Sequence, residues 1–67
     1  MHKKIKEKDF ILIIDDTEEK YLQIGEVIEV KNYPHSDDVM NYIVRFKDEI
    51  CKYDYDLEYI SRVLMLV

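Results

Sequence analysis

The sequence predicts an all-β fold of five short strands, with one helical turn before the last. Three observations carry this. Runs rich in Ile, Val, Phe and Tyr recur at strand length, and one of them alternates cleanly. Gly25 and Pro34 are the only Gly and Pro, so the turn signals are few and each marks real punctuation. A single helical turn, Leu57 and Ile60 behind a capping Asp56, stands near the end.

The first strand is expected over 9–14, Asp-Phe-Ile-Leu-Ile-Ile, apolar on both faces. Phe10, Leu12 and Ile14 are assigned to the core. A polar loop over 15–23 follows, with Tyr21 and Leu22 as its apolar anchors. The second strand covers 24–31, with Ile24, Ile28 and Val30 on one face and Glu26 as the polar exception. Gly25 inside it signals a bulge or a close backbone approach. Residues 32–41 form the longest loop, built from turn formers. The third strand, 42–47, turns Tyr42, Val44 and Phe46 one way and Ile43, Arg45 and Lys47 the other. Asp48-Glu49 turns the chain into a fourth strand over 50–55, with Cys51, Tyr53 and Tyr55 on one face. The helical turn takes 56–60, and a last strand takes 62–67. The competing reading is a helix over 56–67, opposed by the β-branched Val63 and Val67.

At 67 residues the chain is one domain, read as a Lys-rich flexible head over 1–8 and a body over 9–67. Its formal net charge is −5. Lys3, Lys4, Lys6 and Lys8 crowd the head, so the body has six basic and fourteen acidic residues, a balance of −8. Such a body repels phosphate backbones, and nucleic acid is disfavoured as a partner. Cys51 is the single cysteine, so no internal disulfide forms. No apolar signal region follows the basic start, and no run approaches membrane-spanning length. A cytoplasmic protein is expected.

Catalytic signals are absent, metal signals are thin, and no cofactor is expected. Neither Ser36 nor Ser61 sits in a nucleophile elbow. Cys51 with His35 is a formal nucleophile–base pair, but Cys51 on a tyrosine-lined face reads as a small hydrophobe. Asp54, Asp56 and Glu58 alternate like calcium ligands but lack the turn glycine of such a loop.

The second strand carries Gly25-Glu26-Val27-Ile28-Glu29-Val30, the third Tyr42-Ile43-Val44-Arg45-Phe46, and the helical turn Leu57-Glu58-Tyr59-Ile60. These segments, with the element order, resemble the SH3-like small β-barrels and their KOW-like and Tudor-like relatives. The resemblance implies a closed five-stranded barrel. Lys52-Tyr53-Asp54-Tyr55 is similar to a segment of signalling SH3 domains, but it stands in the fourth strand rather than near the N-terminus. With no Trp in the chain, proline-rich peptide binding is not implied.

Six tyrosines are the clearest binding signal, because Tyr joins contact area to a polar tip. Tyr42 and Tyr59 are assigned to the core. Tyr21, Tyr33, Tyr53 and Tyr55, with the loop acids Asp37 and Asp38, are the candidate partner-binding residues. A core filled by Phe10, Leu12, Ile14, Leu64 and Leu66 leaves Ile11, Ile13, Val63, Met65 and Val67 as a surplus. That surplus is the expected homo-oligomer interface. The expectation is therefore a non-enzymatic protein-binding module. It is of the kind found among small phage or mobile-element accessory proteins, acting on a partner with a basic surface. The alternatives are a ligand-sequestering oligomer and a KOW-like nucleic-acid barrel using Lys31, Arg45, Lys47 and Lys52.

Overall fold

Phe10–Ile13 form β1, Ile24–Asn32 β2, Val39–Arg45 β3, Ile50–Asp54 β4, Leu57–Val63 α1 and Leu64–Leu66 β5. The computed structural model describes residues 5–67, apart from the side chain of Leu57. Lys3 and Lys4 of the head, and the inward side chain expected of Leu57, thus lie outside the described residues. The five strands make one antiparallel sheet in the order β4-β3-β2-β1-β5.

The fold is predominantly β, as expected, but the sheet is not closed into a barrel. No pairing joins β4 to β5 among the described residues. The helix is the physical reason. α1 runs to Val63, three residues beyond the single turn expected, and leaves β5 only three residues. Asp56 starts α1 by accepting from the backbone N–H groups of Glu58 and Tyr59 at 3.1 and 3.2 Å. Ile60 and Val63, one turn apart, both reach the core, which a strand would not allow. Leu64 then returns to extended backbone while its N–H still bonds Ile60 O.

The core face of the sheet also differs in phase. Ile11, Ile13 and Val63, expected on the surface, are wholly buried, whereas Phe10 and Ile14 are exposed. An apolar run fixes a period of two without fixing which residues point inward. Gly25 decides it. Gly25 stands opposite Ile11 on β1, and on the other side a Cβ there would lie 2.5 Å from Val44 Cγ1 and 2.8 Å from the Phe46 ring. The close approach expected at this glycine is present. Gly25 and Val27 therefore face inward, and Ile24, expected there, faces out. A register shift between Val27 and Glu29 then moves the inward phase to Val30, which pairs with Tyr42 and packs against the core.

β3 begins at Val39, so the expected loop over 32–41 shrinks to a turn over 33–38. Tyr33 N–H donates to Asp38 O there, and Asn32 Nδ2 bonds Asp37 O. The β3–β4 hairpin pairs Tyr42 with Tyr53 and Val44 with Cys51. Tyr42, Val44 and Phe46 are buried, as their alternation predicts. Asn41 Oδ1, on the rung with Lys31 and Asp54, is buried without a hydrogen-bond partner. Ahead of β1, Lys8 N–H donates to Val27 O and Ile5 packs on the core, so contact with the body starts before residue 9.

Candidate functional site

Loop 15–23 is held down by a lysine rather than by its apolar residues. Tyr21 and Leu22, the expected anchors, are exposed, and Lys20 is buried. Its ammonium lies over the Phe46 ring, with Nζ 5.8 Å from the ring centre. Nζ reaches Glu49 at 3.0 Å and Asp48 at 3.7 Å in the β3–β4 turn. Hydrogen bonding to Glu49 raises the Lys20 pKa, and the same bond lowers that of Glu49. No sequence pattern marked Lys20. The only available signal was a lone base among four loop acids.

The loop is ordered at its other end by Asp15, which accepts from Thr17 N–H and from the Thr17 hydroxyl. The Thr17 hydroxyl bond is the main reason the Asp15 carboxyl sits below its ordinary range. Tyr59, half-buried on α1, donates its hydroxyl to Glu18 Oε1 at 3.4 Å. Burial pushes the Tyr59 pKa up, and the charges of Glu18, Asp15 and Asp54 push it further. Loop 15–23 thus lies over Phe46 and meets α1 and the β3–β4 turn.

The charge is unevenly divided along the chain. Segments 15–23 and 46–62 contain nine acids and four bases, a balance of −5, equal to that of the whole chain. The remaining residues have six acids and six bases and are neutral. The acids are Asp15, Asp16, Glu18 and Glu19 on the loop, Asp48 and Glu49 in the turn, and Asp54, Asp56 and Glu58 around the start of α1. They are spread rather than convergent. No group of three or more metal-ligating side chains comes together among the described residues.

The candidate binding residues do not form one site. Tyr21 and Tyr55 are exposed within the acidic segments, Tyr55 with its ring edge-on to Tyr42 at 6.0 Å. Tyr53, a candidate partner-binding residue, is buried with its ring 6.4 Å from Phe46, and burial pushes its pKa up. Tyr33, Asp37 and Asp38 are exposed on the turn at the far end of β2 from Tyr21. Nine residues of strand separate those ends, roughly 25 Å at ordinary rise.

Cys51 Sγ donates to Glu49 Oε1 at 3.3 Å. Burial and then Glu49 raise its pKa, which disfavours the nucleophilic thiolate. His35 sits in the 33–38 turn, several rungs of β3 from Cys51, so the two do not pair. Arg45 is tied to Glu26 and Lys52 to Asp54, which leaves Lys31 and Lys47 of the basic set outside any ion pair among the described residues. A groove lined by Ile5, Lys6, Glu7, Val30, Asn32 and Val39 is open rather than enclosed.

On the opposite face of the sheet, Leu12 stands between Ile24 and Met65 in register. Phe10 lies beside it, and Val67 N–H donates to Phe10 O. Met65 and Val67, expected at the surface, are exposed, and Phe10, Ile14 and Ile24 join them in place of Ile11, Ile13 and Val63. No helix among the described residues is long and apolar enough to cross a membrane. Comparison of the chain with protein-family models, curated proteins and solved structures gives no match.

Proposed function

We propose that this protein is a non-enzymatic binding module that docks its acidic layer onto a basic surface of a protein partner. The observation that carries the reading is the segregation of charge: the full −5 lies on loop 15–23 and segment 46–62, and the rest of the chain is neutral. An uneven charge distribution of this kind speeds encounter with an oppositely charged partner and sets orientation. Tyr21 and Tyr55 supply exposed aromatic area within that layer. The strand order, the long β1–β2 loop and the short helix before β5 support an SH3-like relationship, here with an open sheet. The working setting is the cytoplasm, and the role is that of a phage-type accessory protein that occupies and modulates a host nucleic-acid enzyme.

The test is a pull-down with the tagged chain from nuclease-treated lysate, eluted by rising salt. One stoichiometric basic protein should be retained at low salt and released as salt screens the contact. Glu18→Lys with Glu19→Lys should abolish capture, while Asp37→Lys with Asp38→Lys on the far turn should leave it intact. Capture that survives the Glu18/Glu19 reversal, or recovery of nuclease-sensitive material alone, overturns the reading.

A further inference from the structure

The outer face of β1 and its two neighbours carries a second surface, chemically unlike the first. Leu12 is flanked in register by Ile24 and Met65, and Phe10 lies beside Val67, so these side chains are cross-strand neighbours on one face. Ile14 extends the row. Phe10, Ile14, Ile24, Met65 and Val67 are 39 to 68 % exposed. At ~200 Å² for a whole large side chain, they present on the order of 500 Å² of apolar surface. That is at the upper end of what a monomer of ordinary composition leaves open.

We propose that this face packs against the same face of a second copy, forming a two-fold dimer by sheet-on-sheet stacking. Charge and area both point to a second copy. Loop 15–23, with four acids and one base, lies against Phe46 and α1 on the other side of the sheet, so two copies meeting through these faces keep those acids apart. The edge of the patch carries one charge of each sign, Glu26 paired with Arg45. Two such faces together remove about 1,000 Å² from water, the lower bound for a specific interface. Because the same surface serves both partners, the contact closes on itself and stops at two. Stacked sheets of this kind interdigitate side chains at about 10 Å separation.

Sedimentation equilibrium on the full chain, from micromolar to near-millimolar concentration, tests this. The expected result is a mass rising to twice the 8.2 kDa of the chain. The association should persist or tighten in molar salt, because it is apolar. Ile24→Lys and Met65→Lys, each at an exposed position, should retain the wild-type circular dichroism and weaken association by ~tenfold or more. Glu18→Lys with Glu19→Lys should leave the dimer intact, which separates this surface from the acidic one. A wild-type chain that stays monomeric throughout overturns the proposal, as does a dimer unmoved by both lysine variants. A monomer that floats with phosphatidylcholine vesicles overturns it in favour of a lipid surface.

Discussion

Gly25 governs the core because of what it lacks. Its missing Cβ leaves space for Val44 and the Phe46 ring, and the first of these neighbours cannot move without disturbing β3. A methyl there overpacks a fully buried site, which costs about 1–3 kcal/mol. Gly25→Ala should therefore lower the urea midpoint with little change in the slope. Tyr53 makes a different prediction. Burial raises its pKa above the ordinary value near 10, as it does for Tyr42. The folded protein keeps these protons where the unfolded chain releases them. The linked stability is complete below about pH 10 and is lost as pH rises above it. Lys20, with its raised pKa, acts in the same direction. Urea midpoints should be flat from neutral pH to about pH 9 and fall beyond about pH 10, with a shallower fall in Tyr53→Phe.

At the scale of elements, α1 decides how the chain ends. Its seven residues are too few to hold a helix by propensity, so its cap and its two buried side chains hold it. Asp56 satisfies the N–H groups of Glu58 and Tyr59, and Asp56→Ala should cost about 1 kcal/mol. Because Tyr59 bonds Glu18, the same variant should also speed amide exchange in loop 15–23. Asp56→Asn, which keeps the acceptor, should restore both. Faster exchange confined to α1 would instead show that helix and loop are independent. The loop itself depends on Lys20, whose ammonium bridges to the β3–β4 turn and lies over the Phe46 ring.

At the scale of the molecule, the acids of loop 15–23 lie on the side of the sheet opposite the apolar face of β1. Like charges near α1 act on one another, and the charges of Glu18, Asp15 and Asp54 push the Tyr59 pKa up. Screening should relieve that repulsion. Raising salt from low to physiological strength should stabilise the monomer by about 1 kcal/mol, roughly 4–8 °C in Tm. Glu18→Lys should flatten this response, while Met65→Lys, on the other face, should preserve it. Calorimetry at concentrations below self-association measures both.

Much of the architecture is legible in the chain. The alternation of Tyr42, Val44 and Phe46 predicts their burial, Asp48-Glu49 the hairpin turn, Asp56 the cap and Gly25 the close approach, because each rests on local sterics or on a two-residue period. Other features rest on information that no local window contains. Ile11 and Ile13 face inward because of where Gly25 falls on the neighbouring strand, and a run apolar on both faces is silent about that choice. The register shift after Val27 changes the phase of β2, so Ile24 and Val30 cannot share a face. Val63 enters the core because a helix outcompeted a strand for it, and the shortened β5 left the sheet open. Lys20 anchors a loop through Glu49 and Phe46, partners more than twenty residues away. Composition sets how much charge and apolar surface the chain must distribute. Long-range packing sets which side each occupies, because burial is decided by neighbours brought together in space.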